Sequence, residues 1–275
     1  MATCASCGNE VAEGVNFCEP CGQEKDREGF TIYEVKDPST GPPFEVRIGH
    51  YIKTGWHTFL QYPAGFVGFI LILAIVNIVL LLIDYQIGIP LLWYFLAALL
   101  EPLFAGIYVV SAKLLQRQAR SFTDFFAGFH YFQPLLIFGL IGSLISMGDA
   151  LFGHYRFLPV LFNLASLAFT LAFLFTPMLV IDRRLPLWEA MGLSRRTVQR
   201  RWLPFLGLMI LIGLLSVVIS LIISLMVTLV SGLFKFELAG FRTILFICGR
   251  LMGPIYFIAF TAAYADLFGL QSKEY

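Results

Sequence analysis

Charged side chains are scarce in this sequence, and their scarcity excludes an ordinary soluble domain. Only 13% of the 275 residues are Asp, Glu, Lys or Arg and 58% are hydrophobic, whereas about 25% charged residues is usual for globular proteins. The net charge of +1 gives no indication of a nucleic-acid partner. The mean hydropathy of +0.79 therefore predicts an integral membrane protein.

Motifs of the common enzyme classes are also absent from the sequence. It has no H-E-x-x-H, no glycine-rich phosphate loop and no nucleophile elbow, and its four histidines are scattered. The first 22 residues are polar and lack the apolar stretch of a cleavable signal peptide. We therefore predict a non-enzymatic protein without catalytic residues, whose first membrane span serves as the insertion signal.

Six apolar stretches approach the roughly 20 residues that a helix needs to cross a bilayer. They cover residues 66–83, 89–114, 134–151, 157–181, 203–230 and 243–268. We predict an all-α integral membrane protein with about six transmembrane helices in three hairpins. The fifth stretch is longer than a bilayer is thick, so its helix is expected to tilt.

Lysine and arginine are distributed unevenly between the two sides of these spans. Fifteen of the 19 would lie on the side of the N-terminus and three on the other, with Arg250 inside the sixth span. Positive residues concentrate in the cytoplasmic loops of membrane proteins. The bias predicts that both termini are cytoplasmic, and we interpret the membrane as the plasma (bacterial inner) membrane.

The most specific motif precedes the spans and consists of two Cys-x-x-Cys-Gly segments. Its ligands would be Cys4, Cys7, Cys18 and Cys21. Four thiolates that leave no open position form a structural tetrahedral site, for which zinc is favoured over the iron of a rubredoxin-like site. Thiolates of this kind persist in a reducing cytosol. We predict a zinc ribbon that contacts a cytoplasmic or membrane protein partner.

The domain organisation follows from these patterns. We assign the zinc ribbon to residues 1–24, a flexible linker to 25–45, an interfacial amphipathic helix to 46–62 and the six-helix transmembrane domain to 63–275. Residues 30–35 fit a short strand and an extended linker equally well. In the interfacial helix, apolar residues recur on one face and basic residues on the other, which is the pattern of a helix lying in the headgroup layer.

A second amphipathic segment lies between the fourth and fifth spans, at residues 185–202. Trp188, Met191, Val198 and Trp202 are predicted to share its apolar face. The residues that would contact lipid are Trp188, Arg195, Arg196, Arg200, Arg201 and Trp202. The basic residues would either bind anionic lipid or only fix the orientation of the chain, and the second alternative is favoured.

Prolines and ionisable residues also occur inside the predicted spans. Pro102, Pro177 and Pro254 occupy matching places in spans two, four and six and predict interrupted helices, which mark substrate sites in some transporters. Glu101 and Arg250 are costly at membrane depth and suggest a function there. They would lie within about two helical turns of each other in depth, as a gate or coupled site or as a pair that locks two helices.

Parts of the chain resemble known proteins. Residues 1–22 look like the short zinc ribbons at the N-termini of many bacterial membrane proteins. Residues 176–208, with LVIDR at 179–183 followed by PLWEA and Ser194, are similar to polytopic bacterial proteins, as is AAYADLFG at 262–269. Those proteins relate to the membrane domain of some glycerophosphoryl diester phosphodiesterases. That domain carries no phosphodiesterase active site, so the resemblance implies a fold and a location rather than a reaction.

Two functions are compatible with the sequence. The favoured one is a non-enzymatic integral membrane protein whose cytoplasmic zinc ribbon serves as a structural protein-interaction module. The alternative is a transporter or channel for a small solute or ion that uses Glu101 and Arg250 within the membrane. Lipid sensing through the two amphipathic segments is a third hypothesis.

Overall fold

The chain divides into two compact units, Met1–Lys36 and Asp37–Tyr275. A computed structural model describes the backbone of residues 2–3, 10–11, 17–18, 23–24, 38, 44–89, 91–155, 157–234 and 253–270.

The described residues of the first unit form two short antiparallel strand pairs. The strands are β1 Ala2–Thr3, β2 Glu10–Val11, β3 Phe17–Cys18 and β4 Gln23–Glu24. β1 pairs with β2, and β3 pairs with β4 with Cys18 opposite Gln23. Each pair therefore joins residues that flank one Cys-x-x-Cys segment in the sequence. Of the four predicted ligands, Cys18 lies in β3, and Cys4, Cys7 and Cys21 lie outside the described residues.

The described part of the second unit is helical, as the sequence predicted. Its helices are α1 Ile48–Gln61, α2 Pro63–Ile87, α3 Leu92–Ala98, α4 Glu101–Leu115, a 3-10 helix Phe122–Tyr131, α5 Phe132–Leu151, α6 Leu158–Ala172, α7 Thr176–Asp182, α8 Leu187–Arg200, α9 Trp202–Phe234 and α10 Gly253–Phe268. α1 and α8 coincide with the two segments that were predicted to be amphipathic helices.

Four helical segments of the described chain are long and apolar enough to cross a bilayer. They are Pro63–Ile87, Leu92–Leu115, Phe122–Gly148 and Leu158–Asp182. A fifth is present if α8 and the first part of α9, which meet at 93°, count as one broken span. α9 alone has 33 residues, or about 50 Å of helix, against about 30 Å of hydrocarbon. These lengths and compositions are those of a membrane-embedded helical protein.

α4 lies at the centre of the helical unit, and most of its side chains are buried. The 3-10 helix packs along it, with the Phe125 carbonyl oxygen where a Cβ of Gly106 would lie and the Pro102 carbonyl oxygen where a Cβ of Gly128 would lie. Both approaches require glycine, because any side chain would collide with a carbonyl group. The segment between the second and third predicted spans is therefore part of the core.

Local interactions fix the start of this 3-10 helix. The Ser121 side chain accepts a hydrogen bond from the Thr123 amide, and the Asp124 carboxylate accepts one from the Ser121 amide. Lys113 at the end of α4 forms a 2.9 Å ion pair with Asp124. The turn between α4 and the 3-10 helix is thereby closed, and Phe125 is directed into an aromatic cluster with Phe66 and Phe69.

α1 packs against α10 through a narrow buried face. A Cβ on Gly55 would lie 3.3 Å from the Ala259 backbone nitrogen, so the two helices approach closely there. The Tyr51 hydroxyl donates to the Asp266 carboxylate at 2.8 Å, and the Arg47 guanidinium pairs with the same carboxylate. Trp56 points away from this face and is 47% exposed, as expected for a helix whose other side contacts the headgroup layer.

Candidate intramembrane binding site

The second predicted span is interrupted directly before Pro102. α3 ends at Ala98, the Leu100 amide donates to the Ala97 carbonyl at 3.0 Å in a tightened turn, and α4 begins with Glu101. Proline has no amide hydrogen and is favoured in the first turn of a helix, so the sequence restarts the helix at this point. Glu101 thus stands at the N-terminus of α4, where the helix dipole favours a carboxylate.

The fourth predicted span is interrupted in the same way. α6 ends at Ala172, and α7 begins at Thr176 with Pro177 in its second position. The described part of α10 starts with Gly253 and Pro254, so proline is the second residue of α4, of α7 and of this part of α10. In the second and fourth predicted spans, the proline therefore marks the point at which the second half of the span begins.

A serine on the amphipathic helix α8 satisfies the backbone at the second break. The Phe175 amide donates to the Ser194 hydroxyl oxygen at 3.1 Å, and that hydroxyl donates to the Ala172 carbonyl at 3.1 Å. Ser194 is fully buried. The break would otherwise leave an amide and a carbonyl without partners away from water. α8 is thus fastened to the interrupted span.

The two breaks border one cavity of about 510 Å³. Helices α2 to α7 and α10 contribute to its wall. The polar lining residues are Asn77, Glu101, Ser143, Ser146, Ser166 and Thr170. Eight aromatic side chains complete the lining, namely Trp93, Tyr94, Phe104, Phe138, Phe169, Phe173, Tyr256 and Phe257. Asn77, Glu101 and Thr170 lie near the middle of three helices long enough to span a bilayer.

Glu101 is the acidic group of this cavity. Within the described part of the chain, no side chain donates a hydrogen bond to its carboxylate or forms an ion pair with it. A Cβ on Gly139 would lie 2.6 Å from Glu101 Cγ and 3.0 Å from the Ala98 carbonyl oxygen. Gly139 therefore allows α5 to approach the break in the second span beside Glu101. The glycine at this position of α5 therefore has a structural reason.

Asn77 adds a second polar group that lacks a protein partner. Its side chain is 4% exposed and its Oδ1 atom has no hydrogen-bond donor. The neighbouring hydroxyls are engaged, since Ser146 and Ser166 lie 3.1 Å apart and Ser146 also bonds the Gly142 carbonyl. Buried polar atoms without partners are rare in native proteins and call for an explanation such as a ligand. The cavity thus offers two unused acceptors, at Glu101 and Asn77.

The structure leaves the predicted partner of Glu101 unplaced. Arg250 lies outside the described residues, so the Glu101–Arg250 pair stays a prediction. No group of three or more potential metal-binding side chains occurs among the residues that were described. Cys4, Cys7 and Cys21 of the predicted zinc site also lie outside the described residues.

The predicted lipid-contact residues of α8 lie on its outer surface. Trp188 is 69% exposed and Trp202, at the start of α9, is 48% exposed, with exposed arginines between them at Arg195, Arg196, Arg200 and Arg201. Met191 and Val198 are buried. The prediction that Trp188 shares a face with Met191 and Val198 is therefore wrong, because packing on α7 uses the Met191 side. Arg200 also donates to the Pro38 carbonyl at 2.9 Å.

Two contributors to the site were missed by the sequence analysis. Asn77 was visible as an amide in the middle of the apolar α2, which is a signal at membrane depth. Ser194 appeared only within a family resemblance, and its contact with the break at Phe175 joins residues 19 positions apart. No periodicity reports such a contact.

Comparison with known proteins identified no relative of this chain. No protein-family model, no curated protein and no solved structure matches the chain. The functional argument therefore rests on the fold, the helix breaks and the chemistry of the cavity.

Proposed function

We propose that this protein binds a small polar or charged solute in the Glu101 cavity and carries it across the membrane. The observation that carries this proposal is the meeting of two interrupted helices at a polar cavity in the middle of the membrane-length segments. Transporters build midplane substrate sites from discontinuous helices in this way. An ionisable side chain at such depth is costly, and solute or ion pathways are where it is usually retained.

The helix breaks and Glu101 both provide features that a transport site needs. Residues at both helix breaks line the cavity, and Glu101 supplies a charge that a solute or a proton can neutralise. The sequence-based alternative, in which Glu101 and Arg250 only lock two helices, does not require a cavity beside the carboxylate. The volume of about 510 Å³ next to Glu101 favours transport over such a lock.

The proposed topology keeps six spans in three hairpins with both termini in the cytoplasm of a bacterial inner membrane. Its support is the excess of basic residues on the side of the N-terminus, 15 of 19, and the recurring proline at the start of α4, α7 and α10. α8 would lie in the headgroup layer, since it meets α9 at 93° and exposes Trp188 and its arginines. The family resemblance supports the same location.

A second function is favoured for the N-terminal unit, which we propose to be a zinc ribbon that recruits a protein partner. The paired strands fit this metal, because β1–β2 and β3–β4 each connect the residues around one Cys-x-x-Cys segment. Cys4, Cys7, Cys18 and Cys21 would hold Zn²⁺ in a closed tetrahedral site, which is structural and leaves no position for a reacting water. Recruitment and transport are compatible in one chain.

Flux measurements in proteoliposomes test the transport proposal. The probes are rubidium, tetraethylammonium and the neutral solute glycerol, each compared between wild type, Glu101→Gln and empty liposomes. We expect at least one probe to cross faster with wild type than with Glu101→Gln. Asp84→Asn is the matched control, since it removes a carboxylate near the end of α2, outside the cavity. Equal flux of every probe in all preparations would overturn the proposal.

A further inference from the structure

The charge of the cavity lining is one-sided. Glu101 contributes a carboxylate, and no Lys, Arg or His is among the described residues that line the cavity. The other polar groups are hydroxyls, the Trp93 indole N–H and the amide of Asn77, whose Oδ1 lacks a donor. An anionic solute would find no counter-charge among the described residues of this lining, whereas a cation would neutralise Glu101. The lining therefore selects for positive charge.

The aromatic composition of the wall points in the same direction. Trp93, Tyr94 and Phe104 lie on the halves of the second span, and Tyr256 and Phe257 approach from α10. Aromatic faces attract organic cations electrostatically, and tryptophan is the most effective of them. Aromatic rings near the Glu101 carboxylate would also contact the apolar groups of an organic cation. A bare metal ion has no such groups.

The size of the cavity separates an organic cation from a metal ion. A volume of about 510 Å³ falls within the range of roughly 300–1,000 Å³ that is usual for small-molecule sites. A calcium or magnesium ion would instead need about six or more oxygen ligands gathered at about 2.0–2.6 Å. Among the described residues, no cluster of potential metal ligands is present. The space around Glu101 is thus suited to a molecule.

Asn77 defines the ligand further. Its Oδ1 is buried, faces no donor and belongs to the same lining as Glu101. An ammonium group with N–H bonds can donate to a carboxylate and to an amide oxygen, whereas a quaternary ammonium cannot donate to either. We propose that the cavity binds a monovalent organic ammonium ion, with Glu101 as its counter-ion, Asn77 as a second acceptor and aromatic side chains around its apolar part. This ligand class rests on the proposed function and specifies its substrate.

Binding of such an ion has a proton linkage. The titratable side chains of the described lining are Glu101, Tyr94 on α3 and Tyr256 on α10; α2, α5, α6 and α7 contribute none. Protons and the ammonium ion therefore compete for Glu101, so the affinity for the ammonium ion falls as the pH is lowered.

Calorimetric titration of the full-length protein in lipid nanodiscs tests the proposal. The three probes have one shape and different charge: benzylammonium, benzyl alcohol and benzoate. We expect wild type to bind benzylammonium at least about tenfold more tightly than the other two, because a charge-assisted hydrogen bond is worth that factor or more. Equal affinity for the three probes, preference for benzoate, or no binding of benzylammonium would overturn the proposal, and none of these comparisons needs a variant.

Substitutions then test the roles of Glu101 and Asn77 in binding. Glu101→Gln should weaken benzylammonium binding about tenfold or more and remove its pH dependence, whereas Asp84→Asn should change neither. Asn77→Leu should weaken benzylammonium and leave benzyltrimethylammonium unchanged. If Arg250 neutralises Glu101, wild type will not bind benzylammonium and Arg250→Gln will, which overturns the proposal. Flux of rubidium or glycerol that depends on Glu101 without binding of benzylammonium would overturn this ligand class and leave transport standing.

Discussion

The Ser194 hydroxyl on the surface helix α8 accepts the amide hydrogen of Phe175 at 3.1 Å and donates its own to the Ala172 carbonyl. One side chain therefore satisfies both sides of a break in a membrane-length helix. Phe173, inside that break, lines the Glu101 cavity. A helix that exposes tryptophan and arginine to its surroundings is thus hydrogen-bonded, through buried Ser194, to a break that borders the cavity.

Removing this hydroxyl should destabilise the protein. Ser194→Ala leaves the Phe175 amide and the Ala172 carbonyl without a partner in a fully buried position, which costs about 1–3 kcal/mol. The free energy of unfolding in detergent measures the effect. Ser216→Ala is the matched control, because Ser216 bonds only the Ile212 carbonyl of its own helix, and its effect should be near zero. Equal effects of the two substitutions would contradict this role of Ser194.

Gly139 should not tolerate a side chain. In Gly139→Ala the new Cβ would lie 2.6 Å from Glu101 Cγ and 3.0 Å from the Ala98 carbonyl oxygen, so α5 must move away or Glu101 must change its position. Overpacking of this kind costs about 1–3 kcal/mol. The temperature of thermal unfolding and the affinity for benzylammonium should both decrease.

Gly213→Ala provides the comparison for Gly139→Ala. Nothing lies within 4 Å of the Cβ that would be added in this position of α9. Alanine is favoured over glycine in a helix by about 1 kcal/mol in water, so this variant should be neutral or slightly more stable. A loss of stability as large as that of Gly139→Ala would show that the contact with Glu101 is not the cause.

The contact between α1 and α10 should weaken at high pH. Burial, followed by the hydrogen bond to the Asp266 carboxylate, raises the pKa of Tyr51 to about 12 from the ordinary 10. Folding therefore favours the neutral phenol, and the stability that it provides is fully present below pH 10 and is lost as the pH rises towards 12. Unfolding measured from pH 8 to 12 should show this loss in wild type.

Tyr51→Phe is the control for that pH series. It removes the hydroxyl that donates to Asp266, so the variant should be less stable at pH 8 by about 1–2 kcal/mol and should lose less stability between pH 10 and 12. The Arg47–Asp266 pair persists in the variant, but it is partly exposed and is expected to add at most about 1 kcal/mol. Identical pH profiles of the two proteins would contradict the assignment to Tyr51.

The purified protein should contain one zinc ion per chain. Cys18→Ser combined with Cys21→Ser removes two of the four thiolates, and because a small ribbon depends on its metal to fold, the zinc content should fall to near zero. Elemental analysis measures this directly. Crosslinked pull-downs from native membranes should lose specific partners in the same variant, whereas an unchanged partner set would contradict recruitment by the ribbon.

The sequence predicted where the helices and the helix breaks lie better than it predicted which face of each helix is buried. The two amphipathic helices were expected at 46–62 and 185–202 and are observed at Ile48–Gln61 and Leu187–Arg200. Interruptions at Pro102 and Pro177 are confirmed, because proline removes an amide hydrogen wherever it occurs. These features depend on local chemistry, which a sequence displays directly.

The features that were not predicted depend on contacts between distant segments. In a membrane protein both the lipid-facing and the buried sides of a helix are apolar, so hydrophobic periodicity cannot tell them apart. The burial of Phe125 in the core escaped the sequence analysis, and Trp188 was wrongly placed on the same face of α8 as the buried Met191 and Val198. The partnership of Ser194 with the break and the close approach at Gly139 require knowledge of which helices are neighbours.

The central claim is that Glu101 faces a cavity as an acid without a cationic partner, available to a solute. Labelling of the protein in membranes with the apolar reagent dicyclohexylcarbodiimide, followed by peptide mass spectrometry, tests it most directly. The account predicts an adduct on Glu101 that is absent in Glu101→Gln and is suppressed by benzylammonium. An unlabelled Glu101 in wild type that becomes labelled in Arg250→Gln would contradict the account and establish a structural ion pair.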